Sequence, residues 1–326
     1  MPQHRLTFSL SMAATKNTAV YLGQALADYG FKDGHPFGPE RHGAFKTELL
    51  RQQLGQKLIV QQPVLASPDR IALFHTTDYI EKVSAYSKTG HGYLDGGDTP
   101  SFTGMFEAAS HVAGSVTDAI DRIMAGEFKR AFSPIAGLHH ARRHVAAGFC
   151  IFNDCGIAIE YLRAQYSIKR VAYIDIDAHH GDGVFYSFED DPDLLFADIH
   201  QDGRTLYPGT GFIEETGKGP AAGSKLNIPL PPFADDATFQ SVWPQVEAYL
   251  ENGRPEFILL QCGADSIAGD PITQMAFSAA THAHAAKRLR SIADRHCHGR
   301  LLSMGGGGYN HSNIARGWTA VVNAMI

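Results

Sequence analysis

The segment Tyr173-Ile174-Asp175-Ile176-Asp177-Ala178-His179-His180-Gly181-Asp182-Gly183 begins apolar and ends in a burst of ionisable groups. In an extended chain alternate side chains share a face, so Asp175, Asp177 and His179 are expected to line up at the end of a strand. Carboxylates forced together in a partly buried site repel one another and resist ionisation unless a cation compensates them. A metal ion answers that need. A second apolar segment, Phe257-Ile258-Leu259-Leu260-Gln261-Cys262-Gly263-Ala264-Asp265, delivers a carboxylate in the same manner and makes Asp265 the candidate third ligand. Two Asp and one His leave a coordination position open for water, which marks a catalytic rather than a structural site. Imidazole and the lack of redox chemistry favour Zn2+, while the oxygen-rich donor set also suits Fe2+ or Co2+.

Two further clusters follow apolar segments. Gly137-Leu138-His139-His140-Ala141 comes after the apolar residues 131–135 and is followed by Gly148-Phe149-Cys150-Ile151-Phe152-Asn153-Asp154. The carboxylates Asp175 and Asp182 could orient the paired imidazoles, fixing their tautomers and raising their basicity, as a general base beside activated water requires. Met304-Gly305-Gly306-Gly307-Gly308-Tyr309-Asn310 lacks the Lys-Ser/Thr of a phosphate-binding loop, and residues 211–219 have the wrong spacing, so both nucleotide readings fail. Four glycines let the main chain pass close to a reacting centre, where the Tyr309 hydroxyl can donate to a developing oxyanion. A surface His, a turn Asp or a core Tyr would explain any one of these features alone. Together they describe hydrolysis.

Such side chains need strand ends to hold them. Short apolar runs at 131–135, 171–176, 194–199, 257–261 and 301–304 read as buried parallel strands. Helical patterns at 44–54, 103–124, 154–165, 237–250 and 278–295 supply crossovers. Segments 35–41, 90–100, 201–224 and 263–275 are rich in Gly, Pro, Asp and Thr and read as loops. The expected architecture is α/β, with a mostly parallel central sheet and helices on both faces. In such sheets ligands sit outside the carboxyl ends of the strands. No repeat or linker divides the chain, so residues 1–326 are expected to form one catalytic domain.

Of the 326 residues, 44% are hydrophobic and 19% charged, enough apolar surface for a core. The formal charge of −6 comes without a basic run that could track phosphates, which argues against direct nucleic-acid binding. Cys150, Cys155, Cys262 and Cys297 form no CxxC pair and suit a reducing cytoplasm. Residues 6–10 are too short and polar for a secretory core, residues 13 and 14 make a poor cleavage signal, and no run would cross a bilayer. A cytoplasmic protein without membrane contact is expected.

The ordered motifs resemble those of the histone deacetylase family, which includes bacterial deacetylase-like amidohydrolases, acetoin-utilisation proteins and acetylpolyamine amidohydrolases. The similarity runs through His35-Pro36, Pro39-Glu40-Arg41, His75-Thr76-Thr77-Asp78-Tyr79, the double-His segment, the Asp175 to Gly183 run, Tyr207-Pro208-Gly209-Thr210-Gly211 and the glycine-tyrosine segment. The resemblance implies the arginase/deacetylase fold, with zinc on Asp177, His179 and Asp265. It pairs His139 with Asp175 and His140 with Asp182, and it makes His140 the general acid-base and Tyr309 the carbonyl-polarising tyrosine. It also implies tunnel walls at Gly148, Phe149 and Tyr207, a rim carboxylate at Asp98, a rim residue at Ile272 and an inner-channel arginine at Arg41.

Family members commonly bind K+ beside the zinc strand, here at Asp175, Asp177, His179, Asp198 and Ile199, with Asp198 standing where many relatives have Ser. A second K+ position would use Phe188, Asp191, Leu194 and Ser224, with Ser224 replacing the usual aromatic residue. Polyamine-specific relatives place Glu where this sequence has Ile272, so the apolar rim points to acyl-lysine in a protein or peptide as substrate and partner. A small acylated amine is the alternative, as for an acetylpolyamine amidohydrolase. A silent acyl-lysine binding module is the rival of another class.

Overall fold

Val171–Asp175, Phe257–Gln261 and Leu301–Met304 are buried along their whole length, as strands covered on both faces must be. The computed structural model describes residues 16–32 and 34–326. The stretch weighed as a secretory core, residues 6–10 with 13 and 14, lies outside the described residues.

Among the described residues, eight strands form one sheet: β1 (Thr18–Tyr21), β2 (Ile59–Gln61), β3 (Arg130–Ser133), β4 (Val171–Asp175), β5 (Leu194–Gln201), β6 (Lys225–Leu230), β7 (Phe257–Gln261) and β8 (Leu301–Met304). Their order is β2-β1-β3-β8-β7-β4-β5-β6, and every pairing is parallel, where a mostly parallel sheet was expected. Ten α-helices among the described residues connect and cover them: α1 (Gln24–Ala27), α2 (Glu40–Arg51), α3 (Pro68–Ile71), α4 (Thr77–Thr89), α5 (Met105–Met124), α6 (Asp154–Tyr166), α7 (Asp182–Ser187), α8 (Asp236–Gly253), α9 (Ala279–His296) and α10 (His311–Met325). Helices α2, α10, α9 and α8 pack in succession, as do α4, α5, α6 and α7, giving a layer on each face of the sheet.

The five expected strands are present, two of them with the expected bounds, 257–261 and 301–304. Three others escaped the reading. Strands β2 and β6 are the sheet edges: β2 has no buried residue, and β6 mixes Lys225, Asn227 and Pro229 into its pattern, which an edge tolerates. Strand β1 is buried along its four residues, no shorter than β3 and β8, which were expected. Helices α4 and α10 were also unforeseen, although α10 buries Ile314, Trp318, Val321 and Val322. The helix expected at 44–54 begins earlier, at Glu40, inside the segment read as the loop 35–41. No helix among the described residues is long and apolar enough to cross a membrane.

The register sets up the chemistry. Ser133 of β3 pairs with Met304 of β8, Met304 with Gln261 of β7, and Gln261 with Asp175 of β4. Four adjacent strands thus end level, and the loops carrying the double histidine, the glycine run, Asp265 and Asp177 leave from one short row. The chain passes from β3 to β4 across a gap that β7 and β8 later fill, and crevices at such changes of direction are where open parallel sheets take ligands.

Candidate active site

Asp177, His179 and Asp265 come together: each offers a ligand atom, these atoms lie within 4.8 Å of one another, and all three residues are buried. His179 Nδ1 is 3.0 Å from Asp177 Oδ1 and 3.2 Å from Asp265 Oδ2. The route differs from the expected alternation, because β4 stops at Asp175 and residues 177–179 form a bend. Asp175 points instead to His139 and the Tyr173 hydroxyl, each held through Asp175 Oδ2.

The remaining carboxylate oxygens are fixed by the surrounding chain. Asp177 Oδ2 accepts hydrogen bonds from Gln261 Nε2 and Gly307 N, both at 2.8 Å, and Asp265 Oδ1 accepts one from Ala178 N at 3.0 Å. Any side chain at Gly307 would collide with the Asp265 carboxylate, which is why the main chain there carries none. Asp265 Oδ2 is buried without a hydrogen-bond donor. Burial, followed by Asp177, pushes the Asp265 carboxyl up to about 7. An orphaned buried carboxylate oxygen facing an imidazole and a second carboxylate is a donor set that fits a divalent ion.

His139 Nδ1 lies 2.7 Å from Asp175 Oδ2, and His140 Nδ1 lies 2.7 Å from Asp182 Oδ1. The two Nε2 atoms are 3.1 Å apart. Burial disfavours charge on both rings. At His139 the carboxylates Asp175 and Asp177 outweigh it and raise the pKa to about 9; at His140 burial, reinforced by His139, lowers it to about 4 despite Asp182. The surrounding carboxylates thus favour the charged form at His139, while burial favours the neutral form at His140.

Helix α6 braces this loop, a role absent from the sequence reading. Asp154 accepts hydrogen bonds from Gly137 N (2.7 Å) and Leu138 N (2.9 Å), while Asn153 Nδ2 donates to the His139 and Ala141 carbonyls. Asn153 also caps α6 by accepting from Gly156 N, so the helix start and the histidine loop share one anchor. A polar pair opening a helix was the available signal. Gln261 was likewise missed; a polar residue closing an apolar strand was the clue.

Above the triad lies a pocket of about 240 Å³ whose walls include Phe149, Leu206, Tyr207 and Tyr309, with His140 and His179 at its inner end and Asp98 and Ile272 also lining it. Tyr207 and Ile272 are partly exposed, and Asp98 is exposed. Gly148 sits against His140 with φ of +53°, and an added side chain would strike the imidazole. Arg41 is fully buried and donates to the carbonyls of Gly308 (Nε, 2.8 Å) and Gly306 (Nη2, 2.5 Å), bracing the glycine segment. Its guanidinium lies 3.8 Å from the Phe37 ring centroid.

The expected potassium residues divide into two cases. Asp175 and Asp198 are cross-strand neighbours, both fully buried; Asp198 accepts from Gly181 N at 2.8 Å and pairs with His200 Nδ1 at 2.7 Å, and Ile199 follows it on β5. At the second position the residues do not form an open cage, because the Lys225 ammonium donates to the Asp191 and Leu194 carbonyls.

Residues 35–325 match the Histone deacetylase domain family, and the chain belongs to the histone deacetylase family. It is 38% identical to an acetoin utilization protein AcuC of Bacillus subtilis over 90% of this chain and 78% of that protein, and 35% identical to AcuC of Staphylococcus xylosus over 95% and 83%. Histone deacetylase 6 of Arabidopsis thaliana is 32% identical over 93% of this chain and 65% of that protein. The crystal structure of the HDA15 HD domain superposes with a TM-score of 0.88 at 25% identity, covering 95% of this chain and 90% of that one. The fold is the deacetylase fold, and the chain is an enzyme of that family, acting on acetylated substrates.

Proposed function

We propose that this enzyme is a zinc-dependent, cytoplasmic amidohydrolase that removes acetyl or other acyl groups from lysine side chains of proteins or peptides. The observation that carries the reading is the Asp177, His179 and Asp265 group at the inner end of a pocket walled by Phe149, Leu206 and Tyr207. Asp177, His179 and Asp265 would hold the ion, which supplies Lewis acidity and makes water more acidic when bound. His140, neutral at pH 7 and oriented by Asp182, takes a proton from the attacking water. The Tyr309 hydroxyl donates to the oxyanion as the carbonyl carbon becomes tetrahedral. As the C–N bond breaks, His140 returns the proton to the departing amine, leaving a carboxylic acid and a lysine amine, which become carboxylate and ammonium once the acid proton passes to the amine through solvent. His139, held cationic by Asp175, tunes the charge beside that transfer.

Substrate class follows from the walls. Phe149 and Tyr207 suit the aliphatic stem of lysine, Asp98 can accept substrate main-chain N–H groups, and Ile272 offers a distant ammonium no counter-charge. We further infer a K+ ion near Asp175, Asp198 and Ile199, where two buried carboxylates face each other across neighbouring strands.

Turnover of acetyl-lysine peptides against acetylputrescine and acetylspermidine tests the substrate; a large preference for the polyamines overturns it. Tyr309→Phe is expected to retain zinc and lose about 100-fold or more in kcat, the scale of a lost oxyanion donor. An undiminished kcat would remove Tyr309 from the reaction, and a wild-type chain that binds acyl-lysine without turnover would be a binding module.

A further inference from the structure

Lys225 opens β6, yet its side chain is almost wholly buried, with 4% of the residue exposed. Buried ammonium groups ordinarily face a carboxylate. Here Nζ donates to two main-chain carbonyls, Asp191 O in the turn before β5 at 2.5 Å and Leu194 O at the first residue of β5 at 2.7 Å. The Asp191 carboxylate pairs instead with Arg163 on α6, 2.5 Å from its Nη1.

Converging carbonyl oxygens around a single positive charge are the coordination an alkali cation receives. The other oxygens of the expected second K+ position are engaged as well: Phe188 O accepts from Asp191 N at 3.1 Å, and Ser224 O accepts from the Tyr249 hydroxyl at 2.6 Å. That same hydroxyl accepts from Phe196 N at 3.0 Å, so Tyr249 of α8 closes the side that the missing aromatic residue at position 224 would have covered. An added K+ would stand beside a fixed ammonium in a poorly screened interior, where like charges repel strongly.

We propose that the Lys225 ammonium is a covalently tethered monovalent cation that replaces a bound K+ between the Asp191 and Leu194 carbonyls, so that this chain binds no alkali ion there. The ammonium ties the turn before β5 to the start of β6, holding the strand that carries Asp198 without an ion that can dissociate. Burial lowers its pKa to about 8 against the pull of Asp191, and at pH 7 it remains mostly protonated. The inference stands apart from the reading of the reaction, because the chain can carry this ammonium whatever its substrate.

Two measurements test it. Wild-type crystals soaked in rubidium chloride should show no anomalous peak between the Asp191 and Leu194 carbonyls; a peak there overturns the proposal. In solution, Lys225→Ala should recover stability in potassium chloride relative to tetramethylammonium chloride at equal ionic strength. Its Tm gain should exceed that of wild type by about 2 °C or more. Subtracting the wild-type gain removes any response of other cation sites. Lys225→Met, whose stem fills the space without charge, should be destabilised in both salts with no potassium-specific recovery. Equal gains for wild type and Lys225→Ala would sink the idea; if that variant fails to fold in either salt, the rubidium map alone decides.

Discussion

Gln261 Nε2 donates to Asp177 Oδ2 at 2.8 Å, joining the last residue of β7 to a candidate metal ligand beyond the end of β4. Its side-chain Oε1 accepts from Gly263 N at 2.7 Å, so one amide aims both loops that carry the candidate ligands. Partners behind a metal ligand fix its orientation, and their loss weakens metal binding by about 10–100-fold. Gln261→Leu is therefore expected to lower zinc affinity by that factor, read by competition with a chromogenic chelator. Unchanged affinity would mean that Gln261 serves only the strand.

Asp154 grips the loop of His139 and His140 through two main-chain N–H groups. Asp154→Asn keeps one acceptor but turns an amide NH2 toward the second N–H group. The loss of a charge-assisted bond predicts a fall in stability of about 1.5–3 kcal/mol. Because the imidazoles ride on this loop, kcat should fall about tenfold or more while KM stays within about twofold. A change in KM alone would show that the clamp serves substrate binding instead.

His75 lies behind the same loop, accepting from Asn153 N at 2.9 Å with its other ring nitrogen 3.2 Å from the Arg143 carbonyl. Burial lowers its pKa to about 3. The unfolded chain takes up this proton below about pH 6.5, whereas the folded chain takes it up only near pH 3. In that window the unfolded state binds more protons, so stability declines as pH falls, by up to about 1.4 kcal/mol per pH unit from this residue. Urea unfolding of wild type and His75→Gln between pH 6.5 and 4 should show a slope shallower by about one proton in the variant; parallel slopes would refute the assignment.

Much of the α/β organisation was legible because buried strands announce themselves locally: 257–261 and 301–304 are apolar but for Gln261 and Ser303 and are bounded by turn residues. Edge strands β2 and β6 were not, since an edge needs only one covered flank and tolerates polar residues and Pro229. Helix α10 was obscured by following directly on the glycine-tyrosine segment, whose chemistry drew the reading away from the apolar face of Ile314 and Trp318.

By itself the sequence determined which candidate residues stand together at strand ends, because a strand that ends in Asp, His or Gly keeps those types next to one another whatever the rest of the chain does. Which of them meet was decided only by the tertiary structure. The level ends of β3, β8, β7 and β4 bring residues 139, 177, 265 and 307 into one place, and that register depends on pairings between segments distant in the chain, Ser133 with Met304, Met304 with Gln261 and Gln261 with Asp175. The same holds for Lys225: a lysine at the start of a strand looks like a surface charge, and only the turn folded over it, with carbonyls and no carboxylate at its tip, makes it a buried cation.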